Sequence, residues 1–143
     1  MTRSERLNPV VSHTDKKELQ ALQAVAVSQN ELEMEQVKID QLKSYKTEYL
    51  NKQSTTGMVY SAIDLQEFNR FIGQLDQTIR QQAEIVELRR QALDSKRKIW
   101  QTNRINSKVI HKVVNNLHQS ERLQADKTEQ KVMDELSQRK SLK

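Results

Sequence analysis

Apolar residues occupy every seventh position over six consecutive places, at Leu65, Ile72, Ile79, Val86, Leu93 and Trp100. Seven residues make almost two turns of α-helix, so this recurrence lays one narrow apolar edge along a helix, and that edge needs a partner to cover it. The position three residues further on is apolar at Phe68 and Leu75, polar at Gln82, Arg89, Lys96 and Asn103, and apolar again at Ile110 and Leu117. One continuous edge with a partly polar neighbour suits a two-stranded contact, because a wider bundle requires a broader apolar stripe. The composition agrees. The 143 residues include two Gly and one Pro, and 35% are apolar, 4% aromatic and 30% charged. That is too little apolar material for a thick multilayer core and enough for a seam between long helices.

Residues 1–13 are polar, lack periodicity and contain the only Pro, so a flexible N-terminal tail is expected there. Ser12, Thr14 and Asp15 are all acceptable N-caps for a first helix over 14–52. Its apolar residues Leu19, Leu22, Val25, Leu32, Ile39, Leu42, Tyr45 and Tyr49 recur at helical spacing, while Ser28, Gln29, Glu35 and Gln36 interrupt a strict seven-residue pattern. Between 53 and 61 the chain loosens. Gly57 can take a positive φ, Ser54, Thr55 and Thr56 compete for local backbone hydrogen bonds, and Ser61 or Asp64 can cap a second helix over 62–139. The expected fold class is all-α: two long helices in an antiparallel coiled-coil hairpin, forming a single domain over 14–143. At 1.5 Å per residue the second helix is roughly 115 Å long and the first roughly 57 Å. The longer helix therefore ends in a C-terminal overhang, with residues beyond about 110 expected to lack an intramolecular partner.

Residues for chemistry are sparse. The absence of Cys removes disulfides, thiolate metal sites and cysteine nucleophiles, and fits a reducing compartment. His111 and His118 lie seven apart on one helical face, but a metal would need further ligands, and ordinary solvated or seam-flanking histidines are the simpler reading. Adjacent Asp134 and Glu135 diverge on a helix, which is poor geometry for an acid/base pair. There is no glycine-rich phosphate loop and no nucleophile motif. A helix pair also encloses no pocket from which water could be excluded. These features predict a protein that is not an enzyme, with no cofactor, no metal and no small-molecule substrate. No stretch approaches the roughly 20 apolar residues that span a bilayer, so a cytoplasmic location is expected.

Charge is placed unevenly. Residues 1–60 carry eight basic and eight acidic side chains, so the whole excess of +5 lies in 61–143. Within it, Arg89, Arg90, Lys96, Arg97, Lys98, Arg104, Lys108 and Lys112 face a single acid, Asp94. Such a band is a solvated face or a docking surface for an acidic protein. One aromatic in 24 residues gives no base-stacking platform, which speaks against nucleic acid. Near the turn, Tyr45 and Tyr49 on the first helix and Phe71 with Leu75 on the second lie on either side of it at broadly similar separations. In a hairpin they either broaden the core or form an aromatic patch for a partner.

Several stretches resemble the FliJ family of flagellar export proteins: "YKTEY" at Tyr45–Tyr49 with the Gly-containing turn after it, "FIGQL" at Phe71–Leu75, "KRKIW" ending at Trp100, and "KVMDELSQRK" near the C-terminus. The resemblance covers most of the chain beyond about residue 35. It implies an antiparallel coiled coil similar to the gamma subunit, or central stalk, of rotary ATP synthases. It also implies three partners: the hexameric flagellar export ATPase, whose assembly and activity the family promotes, the transmembrane export gate protein, and export chaperones. Carried over residue by residue, it assigns export-gate binding to Leu42, Tyr45, Tyr49, Phe71 and Leu75, and ATPase binding to Lys131, Met133, Asp134, Glu135 and Arg139. A monomer peripherally associated with the inner membrane through the export apparatus is then expected. The stalk protein of a virulence injectisome, a basic nucleic-acid-binding coiled coil and a self-associating structural coiled coil are the alternatives.

Overall fold

A computed structural model describes residues 2–55 and 61–141, the side chain of Thr55 excepted. Three helices follow one another, α1 (Arg3–Arg6), α2 (Asn8–Thr55) and α3 (Ala62–Ser141), with no strand among the described residues. Packing divides the chain into two compact units: Leu22–Ile99, and Met1–Ala21 together with Trp100–Lys143. The sequence led us to expect one domain over 14–143.

Helix is also found where a loose tail was expected. Thr2 caps α1 through a reciprocal capping box: its hydroxyl accepts from the Glu5 amide at 3.3 Å, and its own amide donates to the Glu5 carboxylate at 3.3 Å. Pro9 does not interrupt α2. In the first turn of a helix the amide that proline lacks would have had no intrahelical partner, and its fixed φ already suits the helix. The first helix thus begins ahead of Ser12, Thr14 and Asp15, and Thr14 instead returns its hydroxyl to the Val11 carbonyl at 3.0 Å. The expected turn over 53–61 is shorter on the α2 side, since Thr55 is still helical, and Gly57 lies outside the described residues. At the start of α3 both candidate caps act together. The Asp64 amide donates to the Ser61 hydroxyl at 3.2 Å, and the Ser61 amide donates to the Asp64 carboxylate at 3.3 Å.

In the unit Leu22–Ile99 the core is one cluster of Leu32, Ile39, Val86 and Leu93, with Val25 and Ile79 packed against it. Leu93 is 2% exposed. The polar contacts pair residues in reverse order, as antiparallel neighbours do: Gln29 with Arg97, Glu31 with Arg89, Glu35 with Gln82, and Lys46 with Asp76. Of the six residues in the seven-residue run, Val86 and Leu93 are buried, Ile72, Ile79 and Trp100 are half-buried, and Leu65 is exposed. On α2 the buried and half-buried positions include Ser28 and Glu35, which look like interruptions in the sequence, while Leu19 and Leu22 are exposed.

In the other unit the seven-residue run continues beyond Trp100 with mixed chemistry, at Ser107, Val114 and Glu121. Ser107 and Val114 are buried, and the opposing positions are Ser4, Leu7, Val11, Thr14 and Ala21. Because α1 and the start of α2 occupy the N-terminal segment and Ser4 reaches Glu121, cover on α3 extends to Glu121 instead of ending near 110. Every described residue from 122 to 141 is exposed.

Candidate partner-binding surfaces

Among the described residues, four aromatic side chains near the end of α2 and the start of α3 form a contiguous cluster. Tyr49 is at its centre, with its ring 5.3 Å from Phe68 and nearly parallel to it, 4.7 Å from Phe71 and 6.3 Å from Tyr45. Tyr45 meets Phe71 edge-on at 6.2 Å and is 49% exposed. Offset-stacked and edge-on pairs each add about 0.5–1.5 kcal/mol beyond burial, so the cluster holds its own shape while presenting ring surface to solvent. Leu42, Tyr49 and Phe71 are half-buried, and Leu75 is buried. The structure therefore gathers Tyr45, Tyr49 and Phe71 into one patch and places Leu75 beneath the surface. Phe68, which the sequence marked only as a seam companion, belongs to the same patch through its stack on Tyr49.

The segment containing Lys131, Met133, Asp134, Glu135 and Arg139 lies on the uncovered end of α3. Val132, Met133 and Leu136 are 50%, 64% and 54% exposed there. Their spacing of one and four residues keeps them on one helical face. An apolar face of this kind, edged by Lys131, Glu135 and Arg139, suits contact with another protein.

The basic band is partly consumed within the chain. Arg89 reaches Glu31 at 3.4 Å, Arg90 reaches Glu87 at 3.2 Å, and Arg97 donates to Gln29 at 3.2 Å. The Arg104 guanidinium lies 5.3 Å from the ring centroid of Trp100, whose indole nitrogen is buried without a hydrogen-bond partner among the described residues. Exposed pairs of this type contribute about 0–1 kcal/mol each, so they orient side chains more than they stabilise the fold.

Three carboxylates line the helix contacts as polar layers. Asp15 accepts from the Ser107 hydroxyl at 2.8 Å and lies 2.8 Å from His111 Nε2. Glu121 accepts from the Ser4 hydroxyl at 2.6 Å and the Ser4 amide at 3.1 Å, with His118 at 4.0 Å. Glu35 accepts from the Gln82 side chain, which also donates to the Glu35 carbonyl at 3.1 Å. The two histidines weighed as a possible metal pair are thus each beside an acid, and no group of three metal-ligating side chains occurs among the described residues.

Each of these carboxyls is held below its ordinary range. The leading cause is the hydrogen bond from His111 for Asp15, from Gln82 for Glu35, and from the Ser4 hydroxyl for Glu121. A carboxyl whose pKa is lower folded than unfolded stabilises the fold above the ordinary carboxylate pKa of about 4, and that contribution is lost as pH falls through the folded value. We expect the thermal midpoint to fall between pH 6 and pH 3 and Glu35→Gln to flatten that fall, as followed by circular dichroism. A midpoint independent of pH across this range would mean the layers do not couple to folding.

No described helix is long and apolar enough to cross a membrane. The geometry defines an all-α protein built on two long helices, with polar layers in its helix contacts and exposed apolar and aromatic side chains on its helix surfaces. Residues 3–143 match the family model of the flagellar FliJ protein, and the chain belongs to the FliJ family. Comparison with curated proteins and with solved structures gave no match. Membership makes it a component of flagellar protein export.

Proposed function

We propose that this protein is the noncatalytic stalk and adaptor of flagellar export. In this reading α2 and α3 form an antiparallel coiled-coil hairpin. The end of α3 binds the hexameric export ATPase and promotes its assembly and activity, while the aromatic patch binds the export gate. Export chaperones are further partners, and the protein works in the cytoplasm, peripherally at the inner membrane.

The observation that carries this is the uncovered stretch of α3 from residue 122 to 141. A helix that continues for about five turns beyond its last half-buried described residue, with Val132, Met133 and Leu136 half or more exposed, gains little from folding on its own. It is suited to a partner that surrounds or grips it. An asymmetric helical element within a symmetric ring contacts the subunits unequally, and so favours some ring conformations over others. The family match agrees with a place in the export apparatus, and the reverse-order pairing within each unit agrees with a hairpin.

The test is a chain lacking residues 131–143. Stimulation of ATP hydrolysis by the export ATPase should drop to near the basal rate, with the helical signal reduced only in proportion to the residues removed. Full stimulation by the shortened chain would remove the ATPase contact from this end of α3.

A further inference from the structure

The helical N-terminus creates a surface that neither the ATPase contact nor the gate contact uses. Leu7, which follows α1, forms with Val113 and Leu117 of α3 the floor of an open groove of about 410 Å³, and Arg3 and Arg6 of α1 line it too. Val109, one turn back from Val113, extends the apolar row along α3. Val109 is 53% exposed and Val113 43%. At roughly 100° per residue, Val109, Val113 and Leu117 lie within one narrow sector of α3, and Lys108 and Lys112 fall beyond Val109, on the side away from Leu117. An apolar row therefore runs between two basic rims, one from α1 and one from α3.

Arg3, Arg6, Lys108 and Lys112 make no ion pair among the described residues. The neighbouring acids are hydrogen-bonded within the chain: Glu5 in the Thr2 cap, Asp15 with Ser107 and His111, and Glu121 with Ser4 and the Arg3 backbone.

We infer that this groove on α1 and α3 is a docking site for an amphipathic helix of a partner protein whose apolar edge is flanked on both sides by Asp or Glu. The apolar row takes the edge of the incoming helix, and the two basic rims match its acidic flanks. A row one residue wide between charged margins fits a helix better than a lipid surface, which would meet a broad apolar face. The site is independent of the stalk reading, since it uses none of the residues assigned to the ATPase or the gate.

The test uses the full chain and two designed peptides of about three heptads, with the same leucine edge and with either Glu or Lys at the flanking positions. Binding is read by fluorescence anisotropy and located by methyl chemical shifts. The Glu-flanked peptide should bind at least about tenfold more tightly than the Lys-flanked one, and should shift Leu7, Val109, Val113 and Leu117. Arg3→Glu with Arg6→Glu, and separately Lys108→Glu with Lys112→Glu, should each weaken it about tenfold. Because the shift map is taken on the unaltered chain, it stands even if a variant unfolds. Equal binding of the two peptides, or shifts confined to other residues, would overturn the inference. So would phosphatidylglycerol vesicles that shift these methyls when the Glu-flanked peptide does not, since a membrane would then be the occupant.

Discussion

In the isolated protein, backbone amides of residues 122–141 should exchange with solvent on the order of 10³-fold faster than those of residues 86–93. Both stretches belong to α3 and both are helical, so helix propensity does not separate them. The difference is cover. Val86 and Leu93 are in the core cluster with Leu32 and Ile39, whereas no described residue from 122 onward is even half-buried. An isolated helical segment of this length is marginal in water, because the cost of nucleation is recovered mainly by tertiary contact. Residues 107–121 should show intermediate protection, given the buried Ser107 and Val114 and the hold of Ser4 on Glu121. Uniform protection along α3 in the monomer would mean that the exposed end is covered by something the structure does not contain. The experiment is native-state hydrogen exchange read by mass spectrometry.

Leu93→Ala should destabilise the unit Leu22–Ile99 by about 2–5 kcal/mol. Leu93 is the most deeply buried large side chain of its cluster, and a core only two helices wide has few neighbours that can relax into the vacated space. Leu65→Ala, in the same seven-residue run, should cost below about 1 kcal/mol, since Leu65 is 43% exposed. Urea unfolding of the two variants separates these values. Equal losses would show that the run, and not burial at each position, sets stability.

That contrast shows what could be read from the sequence. Seven-residue spacing of apolar residues located the α3 edge and the helical class, and the core positions Val25, Leu32 and Ile39 of α2 stood among its apolar residues. What escaped was the polar part of the contact. Ser28 and Glu35 look like interruptions when only apolar residues are counted, yet Ser28 is 5% exposed and Glu35 is paired with Gln82. Extending the seven-residue count through polar residues would have found them, and would have continued the α3 run to Ser107, Val114 and Glu121. Leu19 and Leu22 have helical spacing on α2 but fall outside its buried register. The N-terminal segment was misread for a different reason. Pro9 marks a break inside a helix and is compatible with its first turn, and nothing local reveals that Ser4 will meet Glu121, 117 residues away.

The candidate surfaces divide in the same way. The aromatic patch was legible from the placement of its residues on either side of the turn, while the depth of Leu75 depends on packing that spacing alone does not fix. The groove beneath Arg3 and Arg6 was invisible in the sequence, because it exists only once Arg3–Arg6 is helical and the segment lies against α3.

The most direct measurement is ATP hydrolysis by the flagellar export ATPase titrated with this protein, with ring formation followed on the same samples. The stalk reading predicts saturable stimulation that rises together with hexamers. An unchanged rate and no association, with both proteins folded, would contradict it.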